Sequence, residues 1–137
     1  MIKLQVKYLS FFFAVISLLS FFNIIYSYYL NFYLNLNTYY YCLIASIFLS
    51  VLFFKFKSRE KKFSIFDKIL TVFFGYLLIP VILSIPFYFS IYNLTFLNSY
   101  FEAISGFTST GFSIFDNIKH IDQSIILWRS STQWIGG

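Results

Sequence analysis

The sequence predicts an all-α integral membrane protein. Of its 137 residues, 59% are hydrophobic, 26% are aromatic and only 11% are charged, whereas about 25% of the residues of a soluble domain are charged. The 21 phenylalanines exceed what a core of this size needs, so much of the apolar surface has to face lipid. Three long apolar segments carry this excess, and each is near the length of about 20 residues that a helix needs to cross the hydrocarbon.

The first two apolar segments, residues 8–30 and 36–54, predict a transmembrane hairpin within residues 1–56. A signal peptide is the alternative for the first segment, because Lys3 and Lys7 resemble a positively charged leader. No small-residue cleavage site follows, and further apolar segments come later, so we favour the hairpin. The asparagine-rich stretch between the two segments predicts a short turn outside the membrane.

A basic loop, residues 57–68, follows the hairpin. Residues 55–68 contain six basic and two acidic residues, and the positive-inside rule places such a loop in the cytoplasm, with the N-terminus on the same side. A nucleic-acid site is the alternative for a basic cluster, but the flanking apolar segments favour topology. Contact with anionic lipid or with a partner protein is a further possibility. The basic residues are Lys55, Lys57, Arg59, Lys61, Lys62 and Lys68.

The third apolar segment, residues 69–91, contains Pro80 and Pro86. In a membrane, neighbouring helices can satisfy the carbonyl groups that proline leaves free, so we expect a kinked spanning helix. This helix opens a unit that extends over residues 69–137 and ends in a helix over residues 124–137, which stops before it could cross the membrane.

A short helix is predicted between these two, over residues 99–107. Ser99 and Glu102 have the spacing of a capping box, and Gly106 is typical of a helix end. The apolar stretch is too short to span and has the length of a re-entrant segment. The architecture is therefore two leading transmembrane helices followed by one helix–pore loop–helix unit.

Thr108, Ser109, Thr110, Gly111 and Phe112 follow the short helix and look extended, with a glycine that allows positive φ. Irregular backbone at membrane depth is tolerated only where protein buries it or where it lines a water-filled cavity. The C-terminus of a helix favours a cation, and backbone carbonyls can replace the hydration shell of an ion. The alternative is an extracellular loop, because short Ser/Thr/Gly stretches are common in turns.

Two motifs resemble the TrkH/KtrB family of potassium transporters, and the two leading helices resemble its TrkH branch. The motifs are residues 101–111, FEAISGFTSTG, and residues 127–137, LWRSSTQWIGG; residues 85–88, IPFY, also match. The resemblance implies a selectivity filter at residues 108–112, with K⁺ as the only metal and as the transported ion, and no cofactor. Ser109 stands where the family commonly has threonine, a mild change because the carbonyl would coordinate.

The resemblance also implies partners and a location. They are three further pore units, a homodimer, a cytoplasmic nucleotide-binding regulatory subunit, and the bacterial plasma (inner) membrane. Glu102, Gly106 and Arg129 are expected to support the filter. For Glu102 two roles stay open: holding the short helix through the backbone or Arg129, or an ordinary acid at a helix N-terminus.

For several other residues the sequence indicates a packing role rather than a chemical one. Trp128 and Trp134 suit packing or the membrane interface, Gly136 and Gly137 allow close helix approach, and Cys42 suits a buried thiol. There is no cluster of Cys and His for zinc and no catalytic constellation, so neither an enzyme nor a nucleic-acid-binding protein is expected. A small membrane protein that modulates another membrane protein is the second hypothesis.

We expect the chain to be an N-terminal fragment whose coding sequence continues beyond Gly137 through three further filter-bearing units, because one filter segment cannot enclose an ion. The downstream DNA sequence and the mass of the native membrane product test this expectation. A product that ends at Gly137 would instead favour the modulator.

Overall fold

The computed structural model describes residues 6–55 and 64–137, and these form α-helices, turns and loops without a strand. Three runs within them are long and apolar enough to cross a membrane, at Lys7–Tyr29, Leu36–Lys55 and Ile65–Tyr88, so the chain is a multi-pass membrane protein. The helices are α1 (Val6–Tyr29), α2 (Leu36–Lys55), α3 (Ile65–Leu83), α4 (Ile85–Tyr88), α5 (Phe96–Phe107) and α6 (Gln123–Gly136), with a 3-10 turn at Ile118–His120.

Helices α1 and α2 form the antiparallel hairpin expected from the apolar pattern. Ser10 and Ser50 exchange hydrogen bonds, each hydroxyl donating to the other residue's carbonyl at 2.9 and 3.0 Å. One turn along, the ring of Phe13 stacks on that of Phe53 at 5.6 Å. Small hydroxyl residues let two helices approach closely and bond across the interface, so the serine pair fixes the register of the hairpin.

The basic loop lies mostly outside the described residues, which exclude 56–63. Residues 64–68, which the sequence assigns to that loop, instead begin α3. The Ser64 N–H donates to the Asp67 carboxylate at 3.1 Å, and an acid in the first turn is favoured there by the helix dipole. The third spanning helix therefore starts at Ile65, four residues before the predicted boundary of 69.

The third span, Ile65–Tyr88, crosses as one segment, as expected, and is interrupted at Ser84, where α3 gives way to α4. Pro80 lies inside α3, but the helix stops at Leu83 and α4 begins after Ser84, with Pro86 in its first turn. Proline has no N–H, so Pro86 cannot donate to the carbonyl of Ile82 one turn earlier. Breaking the helix at Ser84 places Pro86 in the first turn of α4, where its missing N–H is not needed, whereas Pro80 stays inside α3.

The carbonyl groups at this break are satisfied by other helices. The thiol of Cys42 on α2 donates to the Ile82 carbonyl at 3.6 Å, and the Trp128 indole N–H on α6 donates to the Leu83 carbonyl at 3.1 Å. Trp128 is fully buried and packs against Tyr39 at 5.9 Å, which confirms its packing role. The break therefore ties α3 to both α2 and α6.

Helix α5 runs back along α3 toward the middle of the span. The Tyr100 hydroxyl donates to the Leu77 carbonyl at 3.2 Å, and the Phe107 ring packs on that of Tyr76 at 5.2 Å. Tyr76 is near the midpoint of the span Ile65–Tyr88, so α5 ends about halfway across. This is the geometry expected of a re-entrant helix.

Asn35, in the turn between α1 and α2, joins three parts of the chain at the opposite end of the hairpin from Lys55. Its side-chain carbonyl accepts from the Ile91 N–H at 3.1 Å, and its amide donates to the Asp122 carboxylate at 2.7 Å. Asp122 also accepts from Ser124, which in turn accepts from the Tyr39 hydroxyl at 3.0 Å. The buried amide therefore fixes the start of α6 against the hairpin.

Replacing Asn35 with alanine is expected to lower the free energy of unfolding by about 1–3 kcal/mol, because a buried donor and acceptor lose their partner. Titration with a denaturing detergent in mixed micelles measures this change. Asn37 is exposed, so Asn37→Ala is the matched control and should stay within about 0.5 kcal/mol. Equal effects of the two substitutions would contradict the bridging role of Asn35.

Candidate functional site

Helix α5 begins earlier than the sequence suggests. Thr95 is its N-cap, and the Thr95 hydroxyl accepts from the Asn98 N–H at 3.3 Å. The predicted capping box at Ser99 and Glu102 is wrong, because the Ser99 hydroxyl donates back to the Thr95 carbonyl at 3.0 Å. Glu102 consequently lies in the middle of the helix, where its carboxylate is available for contacts with other elements.

Gly106 does not end the helix, which continues through Phe107. Its role is close packing, because a Cβ placed on Gly106 would overlap the hydroxyl of Thr132 on α6. Gly136 has the same role, since a Cβ there would overlap the Phe107 carbonyl. The two glycines let α6 lie directly against the end of α5, which is the close approach expected of Gly136.

Residues 108–112, here named the candidate filter segment, begin as a turn rather than as the extended strand that was expected. The Ser109 N–H donates to the Gly106 carbonyl at 2.9 Å, and the Thr110 N–H donates to the Ser105 carbonyl at 3.0 Å. Ser109 and Gly111 both have positive φ, 54° and 82°. Such bonds satisfy the carbonyl groups that a helix end leaves free, so the end of α5 shapes the segment.

Hydroxyl groups hold this segment to the rest of the protein. The Thr108 hydroxyl donates to the Ile104 carbonyl at 2.7 Å and lies 2.7 Å from that of Thr110. The Ser109 hydroxyl donates to the Gln133 carbonyl at 3.4 Å. The hydroxyls thus form hydrogen bonds within the protein, as expected from the Thr-Ser-Thr sequence, and leave the backbone carbonyls of the segment free.

Ser105 and Ser113 are site residues that the sequence reading did not assign a role. The Ser105 hydroxyl donates to the Phe112 carbonyl at 2.6 Å, and the Ser113 hydroxyl donates to the Glu102 carboxylate. Nothing in a single sequence distinguishes these serines from their neighbours. The available signal is their position: Ser105 lies in the last turn of α5, and Ser113 directly follows the candidate filter segment.

Glu102 and Arg129 form an ion pair beside the candidate filter segment. The Arg129 Nε lies 3.6 Å from Glu102 Oε2, and the Glu102 side chain is fully buried. Arg129 Nη2 also donates to the carbonyls of Gly111 at 3.0 Å and Phe112 at 3.4 Å. Of the two roles that the sequence left open for Glu102, the structure therefore shows pairing with Arg129.

The candidate filter segment presents one face that other protein atoms do not cover. Residues 108–112 are all exposed, and within residues 6–55 and 64–137 no hydrogen bond reaches the carbonyl oxygens of Thr108, Ser109 or Thr110. These oxygens lie at the C-terminus of α5, where the helix dipole favours positive charge. They are the atoms best placed to bind a cation, whereas Gly111 and Phe112 are bound by Arg129.

Comparison with known proteins identifies the family. A family model named TrkH and described as a cation transport protein matches residues 35–137. The chain belongs to the TrkH family. This match includes α2 to α6 and therefore the whole candidate filter segment, and it makes the chain a member of a family of cation transport proteins. No solved structure matches it.

Three relatives carry similar sequences. The chain is 32% identical over 107 residues to an uncharacterized cation transporter of Methanocaldococcus jannaschii, and the match covers 77% of this chain and 23% of that relative. It is 32% identical over 72 residues to TrkG of Escherichia coli, covering 52% and 15%, and 34% identical over 59 residues to TrkI of Halomonas elongata, covering 43% and 11%. The last two are named Trk system potassium uptake proteins. The chain thus spans less than a quarter of each relative's length.

Replacing Arg129 with glutamine is expected to destabilise the TrkH-family chain by about 3–5 kcal/mol, because the buried Glu102 carboxylate loses its counter-charge. The double variant Glu102→Gln/Arg129→Gln should lose less than Arg129→Gln alone. Unfolding in mixed micelles measures both, and Lys119→Gln on the exposed loop is the control. Additive losses in the double variant would show that the two side chains do not interact.

Proposed function

We propose that this chain supplies one pore unit of a Trk-type K⁺ uptake system, with residues 108–112 as its part of the selectivity filter. The observation that carries the proposal is the uncovered row of carbonyl oxygens at Thr108, Ser109 and Thr110, at the end of a half-length helix. The TrkH family membership supports cation transport, and two relatives named for potassium uptake support K⁺ as the ion.

Ion selection in this proposal uses the backbone alone. The carbonyls of Thr108 to Thr110 replace part of the hydration shell of K⁺, and the C-terminus of α5 adds negative potential. Arg129 and Ser105 bind the carbonyls of Gly111 and Phe112, which holds the outer part of the segment in place. No covalent step and no cofactor is needed, because K⁺ is the cargo.

The arrangement calls for further subunits or segments. The open carbonyls of Thr108, Ser109 and Thr110 belong to one short segment and cannot enclose an ion alone. Three further pore units around the same axis, which the family resemblance implies, would complete the site. The exposed face of the filter segment and the exposed side chains of Phe112 (69%) and Trp134 (74%) are available for those contacts. A homodimer and a cytoplasmic nucleotide-binding regulatory subunit follow from the family resemblance.

The proposed location is the bacterial inner membrane, with the N-terminus in the cytoplasm. The six basic residues within 55–68 support this orientation, since such residues concentrate in cytoplasmic loops. The turn containing Asn35 and the loop at residues 114–121 would then face outward, and α5 would enter the membrane from outside.

Gly111→Ser is expected to lower the preference for K⁺ over Na⁺ in the assembled transporter by about tenfold, which corresponds to about 1.4 kcal/mol. Gly111 has φ of 82°, and a residue with a Cβ is strained there, so the backbone of the segment shifts and the neighbouring Thr110 carbonyl moves with it. Fluxes of Rb⁺ and Na⁺ into vesicles containing the reconstituted transporter measure the ratio.

Gly75→Ala is the matched control, because a Cβ at Gly75 makes only ordinary contacts, 3.5 Å from Leu9 and 3.8 Å from Ile79. Its selectivity should equal that of the unmodified protein. If Gly111→Ser transports K⁺ and Na⁺ in the original ratio while remaining folded, residues 108–112 are not the filter.

A further inference from the structure

Three polar side chains on α1 form a stripe that is completely buried. Ser20, Asn23 and Ser27 lie three and four residues apart, which is the spacing of one helix face. Their exposed fractions are 0%, 1% and 0%. Burying a polar group is costly unless it is hydrogen-bonded, so each polar atom of this stripe needs a partner inside the bundle.

Ser20 and the amide nitrogen of Asn23 have such partners. The Ser20 hydroxyl donates to the Ile16 carbonyl at 3.0 Å, and Asn23 Nδ2 donates to the Leu19 carbonyl at 3.0 Å. The second bond also fixes the orientation of the amide, because the opposite orientation would set two carbonyl oxygens against each other. The atom of Asn23 that is left for another contact is therefore its oxygen, Oδ1.

Two atoms of the stripe, Asn23 Oδ1 and Ser27 Oγ, have no hydrogen-bond partner in the protein. Ser27 is an exception in this respect. Every other serine or threonine hydroxyl in the helices of residues 6–55 and 64–137 donates a hydrogen bond, usually to the carbonyl three or four residues earlier. The Ser27 hydroxyl does not form this bond, so its proton is available to a different acceptor.

The buried hydroxyls of the neighbouring helix are already used. The last turns of α1 lie beside the first turns of α2, where the hydroxyls of Tyr28 and Tyr40 meet at 3.1 Å. In this part of α2 the hydroxyls of Thr38 and Tyr39 donate to a carbonyl and to a serine hydroxyl, at 2.7 and 3.0 Å. They are therefore not available as donors to Asn23 Oδ1. A small molecule that accepts one hydrogen bond and donates another would satisfy both atoms of the stripe.

We propose that one buried water molecule bridges Asn23 Oδ1 and Ser27 Oγ. Residues four apart on a helix have Cβ atoms roughly 5–6 Å from each other, so one molecule can reach both side chains. The water accepts from the Ser27 hydroxyl and donates to Asn23 Oδ1. Its second proton can use the spare lone pair of a helix carbonyl, which gives the usual number of about three hydrogen bonds for a buried water.

A metal cation fits this position less well than water. Hard cations take about six or more oxygen ligands, whereas the stripe offers two free oxygen atoms, and neither carries a charge. Ser27 also needs an acceptor for its proton, which a cation does not provide. The chemistry of the two atoms therefore selects a neutral molecule that is both a donor and an acceptor.

The water would complete the end of α1. Ser27 lies in the last turn of this helix, and its own carbonyl accepts from the Phe32 N–H at 2.8 Å in the turn that leads to Asn35. The serine pair Ser10 and Ser50 fixes the hairpin near its other end. The water site depends on the packing of α1 in the bundle and not on the ion that is transported.

A density map of the native complex in lipid nanodiscs, at a resolution that shows ordered waters, tests the proposal directly. A peak is expected about 2.7–3.2 Å from both Asn23 Oδ1 and Ser27 Oγ. The map of Asn23→Leu, in which the side chain is apolar and similar in volume, should lack this peak. The map of Ser27→Ala, a smaller change, should lose or weaken it, so the test does not depend on the folding of Asn23→Leu. Ser20→Ala is the matched control and should keep the peak.

Unfolding of the same complex in mixed micelles tests whether the two residues share a partner. Ser27→Ala is expected to raise the equilibrium constant for unfolding about fivefold, since a buried acceptor and the water lose a bond. In the Asn23→Leu background, Ser27→Ala should have almost no effect, because the water is already lost. Ser20→Ala should have the same effect in both backgrounds, since its hydroxyl bonds to α1 alone.

Four results would overturn the proposal. The map of the unmodified protein could lack the peak, or show the Ser27 hydroxyl bonded directly to Asn23 Oδ1. A peak with more than about four oxygen neighbours would be a cation rather than a water. An equal effect of Ser27→Ala in the two backgrounds would show that no molecule connects the two residues. Neither measurement involves ion flux, so failure of this proposal leaves the proposed function untouched.

Discussion

The structure depends on one constraint: in lipid, every backbone N–H and carbonyl must find a partner within the protein, because each unsatisfied group costs several kcal/mol. Within a regular helix the backbone groups bond to each other, so partners from elsewhere are needed only where a helix ends or breaks. At the break after Leu83, partners come from Cys42 and Trp128, and at the candidate filter segment from Ser105 and Arg129. Cys42 lies on α2, and Trp128 and Arg129 lie on α6, so these partners come from helices other than the one that ends or breaks. Ser105 lies on α5, the helix that directly precedes the candidate filter segment. The irregular segments therefore hold the helices together rather than weakening the bundle.

The buried charges of Glu102 and Arg129 are explained by the same constraint. A carboxylate and a guanidinium are costly to remove from water, and their attraction offsets this cost only when further hydrogen bonds complete both groups. Glu102 accepts from Ser113, and Arg129 donates to the carbonyls of Gly111 and Phe112. Glu102 Oε2 and Arg129 Nε face each other at 3.6 Å without a hydrogen bond, so their charges alone offset the burial of these two atoms. The pair thus joins the middle of α5, the segment after it and α6 into one network. An apolar pair of equal volume would cost less to bury but would leave the Gly111 carbonyl without a donor, whereas the Phe112 carbonyl would keep the Ser105 hydroxyl.

The sequence was most informative where length and apolar content decide the structure. It predicted the three spans, the half-length helix and the left-handed glycine at 111. It failed where two local patterns compete: Thr95 and Ser99 both suit an N-cap, and the helix begins after Thr95. The two prolines predicted that the third span departs from a straight helix, but their spacing does not say that the interruption falls at Ser84. The pairing of Glu102 with Arg129 was one of two open roles, because contacts between distant helices are not encoded in spacing. The left-handed Ser109 was unexpected, since serine seldom adopts that conformation, and only the bonds from the end of α5 impose it.

At the carbonyls of Thr108, Ser109 and Thr110 the described part of the chain does not itself meet this constraint. If this face lay against lipid, each free carbonyl would carry the full cost of desolvation. The same three groups carry no such cost against water, a cation or matching segments from other pore units. Their neighbours Gly111 and Phe112, by contrast, are bound from behind by Arg129, so the segment cannot relax by turning its oxygens inward without breaking those bonds. A segment that is fixed on one side and polar on the other is therefore stable where water, a cation or other protein meets its polar side, which is the environment that the proposed filter would provide.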